Sequence, residues 1–440
     1  MTRRDCAIAL TLLASLNAFG FIDRVVIALV AEKVKAEFLV SDLAIGLLGG
    51  TAFALVNTLA SVPIARLAER ANRARLTAAF LMIGSVATVL AGVVGSFFQL
   101  VLCRFGMAIG SAATEAPPHS MISDMVPAEK RASAISLFML GVPVAALFGS
   151  FAGGAIAESF GWRRTFLFFG LFGGAVALLC FIFLREPARQ SRPAPDAPRP
   201  GALAILRILL GSRALCLLIA GVSCISLGSF GVNTFLPAFF SRAFALDAGR
   251  AGLAFGLISG LASLAGTLTG GYVSEWMARR DARWLLGVPA LGLVLGVPLF
   301  LIGMNAPNLA VAIPLMLLGS CAFYTAMGPA VATLHGALDS YSRATGSALF
   351  LLVMHLIGQG FGPPLVGIAS DTASALLYAG NFAGDCAGAA AQVPGSACAA
   401  ASAGGLRYAI MMFAAFFMAG GLLLYLAARA GHGRGRAVPA

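Results

Sequence analysis

The sequence predicts an all-α membrane protein whose twelve transmembrane helices form two pseudo-symmetric six-helix bundles, with both termini in the cytoplasm. Of the 440 residues, 59% are hydrophobic and only 11% are charged, whereas about 25% of the residues of a soluble domain are charged. Apolar stretches of roughly 20 residues, long enough to cross a bilayer, recur along the chain. This composition excludes a soluble enzyme, a disordered chain and a collagen-like chain.

Twelve stretches have the required length, and we number them as spans. They cover residues 6–30, 42–64, 76–96, 98–121, 133–157, 165–184, 214–239, 251–274, 284–304, 309–334, 345–369 and 407–428. The first span follows Arg3 and Arg4 but continues without a small-residue cleavage site, so we expect it to stay uncleaved.

A linker rich in proline and arginine divides the spans into six and six. Such a segment resists packing, and two six-helix bundles that meet at a central cavity are a common transporter plan. The predicted domains are 1–184 for the first bundle, 185–207 for the linker, 208–428 for the second bundle and 429–440 for a basic tail.

Basic residues set the predicted orientation. With the N-terminus inside, 21 basic residues fall in inner segments and 7 in outer ones. This excess places both termini in the cytoplasm. The net charge of +12 is therefore attributed to membrane topology, and no nucleic-acid partner is expected.

The loops after spans 2 and 8 indicate an internal duplication. At a constant offset Glu69 aligns with Glu275, and Arg73 aligns with Arg279. The match is short, but it falls where a six-plus-six repeat requires it.

Four ionisable residues lie inside the first bundle: Asp23 and Arg24 in span 1, and Arg104 and Glu115 in span 4. Each costs about 2.5–3.5 kcal/mol to insert, so we expect them to face one another and a wet cavity. We predict proton coupling or substrate binding for them, with a static ion pair as the structural alternative. Both arginines suit a carboxylate or phosphate group.

Their depths predict a particular pairing. Span 1 runs outward and span 4 runs inward, so an Asp23–Arg104 pair is expected. Glu115 comes eleven residues after Arg104, about 16 Å further inward along a helix. It cannot share the Asp23 site unless the helix breaks.

In the second half His355 occupies the middle of span 11, with Gln359 one turn further along the same face. A histidine in an apolar helix is either a hydrogen-bonded core residue or a titratable group of the cavity. Asn233 in span 7 and Tyr324 in span 10 are further candidates for the cavity lining.

Two other patterns require an interpretation. His119 and Asp124 fit the His-x4-Asp pattern of acyltransferases, but the pattern is short and no second signature of an enzyme accompanies it. Cys386 and Cys398 lie in the long outer loop 370–405, where they either pair or remain free thiols. The sequence predicts no cofactor, no metal site and no enzyme.

The chain resembles the major facilitator superfamily over nearly its whole length. The signature of loop 2–3 in that superfamily reads Gly-x-Leu-Ala-Asp-Arg-x-Gly-Arg, and residues 65–73 read Ala-Arg-Leu-Ala-Glu-Arg-Ala-Asn-Arg. The resemblance implies a cytoplasmic charge latch, or gate. Its members would be Glu69, Arg70, Arg73, Asp124, Arg131, Glu275 and Arg279.

Within the superfamily the chain is most similar to the bacterial spinster-like branch. The motifs that carry this likeness are Phe-Ile-Asp-Arg at 21–24, Leu-Gly-Gly-Thr-Ala-Phe-Ala-Leu at 48–55, Pro-Pro-His-Ser-Met-Ile-Ser-Asp at 117–124, Gly-Trp-Arg at 161–163 and Leu-Arg-Glu-Pro at 184–187.

The chain departs from this branch at the positions that matter for coupling. The branch has Asn-Tyr where this chain has Gly20-Phe21, and a span-4 Glu where this chain has Ser111. The family Glu resembles a proton-coupling residue, and Glu115 lies one turn further along span 4. The branch also tends to have Asn at the position of His355, so the histidine is a hypothetical replacement for the lost carboxylate.

The resemblance implies a secondary active transporter that moves a small amphiphilic molecule with an anionic head, such as a lysolipid, across the bacterial inner membrane by proton-coupled alternating access. The expected partners are this substrate, protons and membrane lipids, and the expected state is a monomer. A proton-coupled organic-anion or drug transporter of the same fold is the main alternative. A membrane acyltransferase using His119 and Asp124 is the alternative from another class.

Overall fold

The computed structural model describes residues 3–127, 131–188, 202–338, 343–386, 393 and 395–432. Nearly all of them are helical. The helices are Arg3–Phe38, Asp42–Gly46, Leu47–Thr51, Ala52–Arg70, Arg73–Ala91, Phe97–Ala112, Ala116–Met125, Arg131–Met139, Gly141–Phe160, Trp162–Phe183, Ala202–Gly211, Arg213–Phe244, Ala248–Phe255, Gly256–Leu261, Ala262–Ala278, Trp284–Met304, Leu309–Phe323, Met327–Gly336, Arg343–Leu377, Phe382–Asp385 and Ala397–His432.

Twelve helical segments in this part of the chain are long and apolar enough to cross a membrane, which confirms the predicted number of spans. They are Asp5–Phe38, Asp42–Ala68, Arg73–Ala91, Phe97–Met125, Leu137–Phe160, Trp162–Phe183, Arg213–Phe244, Ala248–Ala278, Trp284–Met304, Leu309–Gly336, Thr345–Leu377 and Ala397–Ala430. Several extend beyond the apolar stretches because charged residues continue the helix past the hydrocarbon core.

The two bundles share their helical irregularities. Span 2 contains a π-helical turn at Leu47–Thr51, and span 8 contains one at Gly256–Leu261. Span 4 is interrupted after Ala112 and span 10 after Phe323. Spans 2 and 8, like spans 4 and 10, occupy matching places in the two halves, so these features support the duplication that the loops indicate.

The bundles contact each other mainly at one end. We call the end where spans 1, 7 and 11 finish the distal end, and the opposite end, from which span 1 starts, the terminal end. Span 2 packs on span 11, span 5 on span 8 and span 1 on span 7. A Cβ atom on Gly50 would lie 2.6 Å from the carbonyl oxygen of Gln359, and one on Gly154 would lie 2.5 Å from that of Ala248. Glycine is therefore required where the backbones meet.

The predicted linker ends inside a helix. Residues 184–188 are irregular, whereas Ala202–Gly211 is helical and buries Ile205 and Leu209. These side chains recur at i and i+4, so one face of the helix joins the core. The last residues of the predicted linker thus form an amphipathic helix that leads into the second bundle. Residues 189–201 and the end of the basic tail lie outside the described residues.

Candidate functional site

The break in span 4 decides where Glu115 lies. The helix Phe97–Ala112 ends before Glu115, and a new helix starts at Ala116. Pro117 and Pro118 follow; because proline has no backbone N–H, they cannot donate the hydrogen bonds that would continue the first helix. Glu115 then approaches span 1, and its Oε1 lies 3.7 Å from Arg24 Nη2.

The Arg24–Glu115 pair lies at the edge of the space between the bundles. The Arg24 side chain is 14% exposed and that of Glu115 is 52% exposed. The guanidinium carbon of Arg24 lies 4.9 Å from the ring centre of Phe53 and 5.7 Å from that of Phe21. Among the described residues, the buried Nε of Arg24 has no hydrogen-bond partner, so this cation retains an unused donor.

Arg104 binds backbone oxygens rather than a carboxylate. Its Nη1 donates to the carbonyl oxygen of Asp23 at 2.7 Å, its Nε to that of Leu48 at 3.3 Å and its Nη2 to that of Gly49 at 3.4 Å. Its guanidinium carbon lies 4.6 Å from the ring centre of Phe53. Arg104 is 1% exposed, so its contacts hold spans 1, 2 and 4 together.

Asp23 points away from Arg24. Its carboxylate Oδ1 accepts a hydrogen bond from Thr88 Oγ1 at 2.9 Å. Successive residues of a helix point about 100° apart, so Asp23 faces spans 3 and 4 while Arg24 lines the cavity between the bundles. The expected Asp23–Arg104 side-chain pair is replaced by the bond from Arg104 to the Asp23 backbone.

The two departures at positions 20 and 111 lie opposite each other. Ser111 Oγ donates to the carbonyl oxygen of Gly20 at 3.2 Å. A Cβ atom on Gly20 would lie 2.5 Å from Thr114 Oγ1. Spans 1 and 4 therefore approach closely where the branch carries Asn and Glu. Ser111 serves this packing and lies outside the cavity.

The cavity between the bundles has a volume of about 190 Å³. Four predicted residues line it: Arg24 from the first bundle, and Asn233, Tyr324 and Gln359 from the second. Most of the remaining lining is apolar or aromatic, so one cation faces a largely apolar space.

A polar cluster forms the second-bundle wall of this cavity. Asn233 Nδ2 donates to Tyr324 OH at 3.1 Å and to Ser229 Oγ at 3.2 Å, and Ser259 Oγ lies 3.2 Å from Tyr324 OH. Tyr324 occupies the break in span 10, directly after the helix that ends at Phe323. The cluster joins spans 7, 8 and 10 around hydroxyl and amide groups.

His355 lies on span 11 one turn before Gln359, and it is not among the residues that line this cavity. Its ring packs edge-to-face on Phe230 with centroids 5.9 Å apart. It lies within electrostatic range of Glu115 and Arg24. The candidate titratable residue of the second half therefore lies within electrostatic range of the charged pair of the first half.

The distal end is closed by a network of charges that sequence reasoning missed. Arg242 of span 7 binds two carboxylates of the first bundle: Nη2 lies 2.6 Å from Glu32 Oε1, and Nη1 lies 2.7 Å from Asp42 Oδ2. Asp42 also accepts from Lys35 Nζ at 2.6 Å and from Ser370 Oγ at 2.6 Å. Asp42 is 1% exposed, so these are buried ionic contacts.

Span 11 adds a further contact to this network. The carboxylate of Asp371 accepts hydrogen bonds from the backbone N–H of Asp42 at 3.0 Å and of Leu43 at 2.9 Å. A residue of the second bundle thus caps the first turn of span 2. We call Glu32, Lys35, Asp42, Arg242, Ser370 and Asp371 the distal gate.

A second contact between the bundles lies beside the distal gate. Lys33 Nζ lies 3.2 Å from Glu158 Oε2, and the same oxygen accepts from the backbone N–H of Ala248 at 3.2 Å. Spans 5 and 8 are therefore tied where their backbones approach most closely.

The predicted cytoplasmic latch forms in part, between the first bundle and the start of the linker that follows it, without a contact to the second bundle among the described residues. Arg73 Nη1 lies 2.6 Å from Asp124 Oδ2 and 2.8 Å from Ser120 Oγ, while Arg73 Nε lies 2.6 Å from Glu186 Oε1. Glu186 Oε2 also accepts from the backbone N–H of Ala74 at 3.1 Å. We call Arg73, Ser120, Asp124 and Glu186 the loop 2–3 network. Glu186 belongs to the Leu-Arg-Glu-Pro motif at 184–187, and its role in this network could not be predicted from the sequence.

Three other predicted latch residues lie on the surface of the described part of the chain. Arg70, Glu275 and Arg279 are exposed, and the side chains of Glu69 and Arg131 lie outside the described part of the chain.

The structure gives His119 and Asp124 unrelated surroundings. His119 packs edge-to-face on Phe138 with centroids 5.0 Å apart, whereas Asp124 binds Arg73. The pattern therefore does not form an acyl-transfer pair. In the outer loop Cys386 and Cys398 form a disulfide, with Cα atoms 5.3 Å apart.

Three comparisons with known proteins agree with this architecture. The family model of the Major Facilitator Superfamily matches residues 11–363. An MFS-type efflux pump of Mycolicibacterium smegmatis is 29% identical over 364 residues, which are 83% of this chain and 84% of the pump. Protein spinster of Drosophila melanogaster is 23% identical over 372 residues, 82% of this chain and 61% of that protein.

Among solved structures, a bacterial homologue of the human lysosomal transporter Spinster matches in an inward-facing and unoccupied conformation. Its TM-score is 0.88 at 28% identity, with all of both chains covered. The occupied, inward-facing form of such a homologue also has a TM-score of 0.88, at 27% identity. These matches confirm the resemblance to the spinster-like branch and the prediction of a transporter rather than an enzyme.

Proposed function

The chain belongs to the Major Facilitator Superfamily, and we propose that it moves a small amphiphilic molecule with an anionic head group across the bacterial inner membrane by proton-coupled alternating access. It is a multi-pass membrane transporter related to spinster proteins and efflux pumps. The finer proposal rests on one observation: Arg24 places an incompletely bonded cation in a largely apolar cavity between the bundles.

Arg24 is the proposed contact for the head group. A guanidinium group binds carboxylate or phosphate through several N–H donors, and Arg24 has one donor unused among the described residues. Its ion pair with Glu115 is long at 3.7 Å, and Glu115 is half exposed. An anionic head group that displaces Glu115 would gain this cation, while Phe21 and Phe230 would face its apolar tail.

This displacement supplies the proposed proton coupling. When the head group takes Arg24, Glu115 loses its counter-charge and must be neutralised near the membrane interior. A proton bound by Glu115, with His355 nearby as a second acceptor, would neutralise it. Substrate and proton would then bind together at one place, although the family carboxylate is replaced by Ser111.

The closed distal end supports alternating access. The bundles meet through the distal gate and the glycine contacts, whereas the loop 2–3 network joins the first bundle to the start of the linker. Opening the distal end would require the Arg242 contacts to break and new contacts to form at the terminal end.

Replacing Arg24 tests the head-group assignment. Arg24→Gln should lower the rate of lysophospholipid counterflow in proteoliposomes by about 10- to 100-fold, because a hydrogen bond to a charged group contributes about 1.5–3 kcal/mol. Arg163→Gln, which removes an exposed arginine of the same bundle, should leave the rate unchanged. Normal counterflow in Arg24→Gln would contradict the proposal.

Glu115→Gln and His355→Gln test the coupling separately from binding. Glu115→Gln should abolish accumulation driven by a pH gradient while counterflow without a gradient continues. His355→Gln should weaken the response to the gradient to a smaller extent, because the carboxylate remains. If gradient-driven accumulation were unchanged in both variants, the proposal of proton coupling through this site would be wrong.

A proton-coupled organic-anion or drug transporter is the second candidate. The similarity to an MFS-type efflux pump over 83% of the chain favours it, as does the cavity volume of about 190 Å³, which is below the usual range for ligand pockets of about 300–1,000 Å³. Competition by lysophospholipids of increasing chain length separates the candidates. Long chains should compete best for a lipid carrier, and short polar anions for an organic-anion transporter.

A further inference from the structure

A groove on the outer surface of the second bundle lies apart from the central cavity. It runs between spans 9 and 12 at the terminal end and has a volume of about 650 Å³. Its mouth carries Arg283, Arg429 and Asp281, and its walls are apolar. The residues proposed for transport do not line this groove.

The apolar part of the groove reaches deep into the membrane region. Leu291 is 50% exposed, Val294 42% and Leu422 58%, so the walls are open to the lipid side. Val294 lies ten residues beyond Trp284 on span 9, about 15 Å deeper along the helix. The groove can therefore hold much of one leaflet's acyl chain.

Gly421 produces the floor of the groove. A Cβ atom on Gly421 would lie 3.2 Å from the carbonyl oxygen of Ala290 and 3.2 Å from Leu293 Cβ. Spans 9 and 12 therefore touch at this point, and the side chains on either side of the contact leave a trough between the helices.

The mouth of the groove carries residue types that are found at the depth of the lipid head groups. Trp284 and Tyr425 line it, and such aromatic side chains concentrate at the membrane–water interface. The guanidinium carbon of Arg429 lies 4.6 Å from the ring centre of Tyr425, and Arg283 directly precedes span 9 on the other wall. Two cations thus lie at the mouth of the groove.

The charges at the mouth favour an anionic lipid. Asp281 is the carboxylate there, and its Oδ1 accepts from the backbone N–H of Arg283 at 2.9 Å. Two arginines against one aspartate leave a net positive charge. A zwitterionic head would bring its own cation to these arginines, whereas an anionic head would not.

From this juxtaposition we propose that the groove between spans 9 and 12 binds one anionic phospholipid, with its phosphate between Arg283 and Arg429 and an acyl chain along Leu291 and Val294. In the predicted orientation the lipid belongs to the cytoplasmic leaflet. Basic pockets between helices on that side bind acidic lipid head groups.

Native mass spectrometry of the full-length protein with added dioleoyl phosphatidylglycerol and phosphatidylcholine tests the site. Wild type should retain phosphatidylglycerol in preference. The double variant Arg283→Gln/Arg429→Gln should bind it roughly 30-fold more weakly, because each of the two arginines at the mouth contributes about 1 kcal/mol to holding the phosphate. The matched control Arg279→Gln/Arg280→Gln makes the same charge change at the same end and should bind normally.

Val294→Trp separates a lipid from a free anion. The indole would fill the groove at acyl-chain depth without touching the arginines, so it should also weaken phosphatidylglycerol binding. Inorganic phosphate should not displace the lipid. Equal retention of both lipids, an equal loss in the arginine control, normal binding by Val294→Trp or displacement by phosphate would each overturn the proposal.

Discussion

The distal gate and the loop 2–3 network are both buried charge networks centred on one arginine, but they join different parts of the molecule. Arg242 links span 7 to two carboxylates of the first bundle. Arg73 also binds two carboxylates, those of Asp124 and Glu186, but neither of these residues is part of the second bundle. Similar chemistry therefore connects the bundles at the distal end and stabilises a single bundle at the terminal end.

The two networks should therefore affect two different quantities, the free-energy difference between the distally closed and distally open states and the free energy of unfolding. Breaking a contact between two rigid bundles changes the relative free energy of the distally closed and distally open states. Breaking a contact within one bundle changes the free energy of unfolding and leaves the balance between those states largely unaffected. Equivalent substitutions in the two networks should thus give different measurements.

Arg242→Gln should have the largest effect on the conformational balance. Removing one partner of a buried ion pair costs about 3–5 kcal/mol, because Glu32 and Asp42 would remain buried together without this cation. The ratio of distally closed to distally open molecules should fall by more than about a hundredfold. Double electron–electron resonance can measure this change with spin labels at Leu39 and Leu376, which are 66% and 83% exposed at the distal end. The distance between the two labels should lengthen.

Arg163→Gln is the matched control for this variant. Arg163 binds Glu37 at 2.6 Å, near the end of span 1, but both residues belong to the first bundle. Its loss should leave the Leu39–Leu376 distance unchanged. If Arg242→Gln also kept the short distance, the gate would not hold the distal end closed.

Arg73→Gln should instead lower the free energy of unfolding by a similar amount. Arg73 is 4% exposed, and its loss removes a buried cation that binds both Asp124 and Glu186. The apparent melting temperature in detergent should fall clearly, while the Leu39–Leu376 distance stays as in wild type. A shift of that distance in Arg73→Gln would show that the loop 2–3 network couples to the conformational change.

Much of the fold could be predicted from the sequence because length and hydropathy determine a membrane span. The position of Glu115 could not, since the prediction assumed one continuous helix at span 4. A signal was present in Pro117 and Pro118, because two missing backbone N–H donors weaken a helix at that point. The same two prolines bring a carboxylate to Arg24 although it lies one turn from the place where the branch carries it.

The distal gate was missed for a different reason. Counting basic residues by loop treats Lys35 and Arg242 as topology markers at the ends of spans, and their partners are as much as 210 residues away in sequence. Only the packing of span 7 on span 1 brings them together. A useful signal was the acidic residues Glu32, Asp42 and Asp371 on the side with few basic ones.

The smallest effect in this comparison is expected at Asp371. Its carboxylate caps Asp42 and Leu43 from the other bundle, but it also lies close to the Asp42 carboxylate, which opposes the benefit. Asp371→Asn keeps one acceptor oxygen and removes a charge at a helix N-terminus, where a charge contributes about 0.3–1 kcal/mol. The closed-to-open ratio should therefore fall by no more than about fivefold, measured from the same Leu39–Leu376 distances. An effect as large as that of Arg242→Gln would mean that the backbone cap, rather than the buried ion pairs, holds the bundles together.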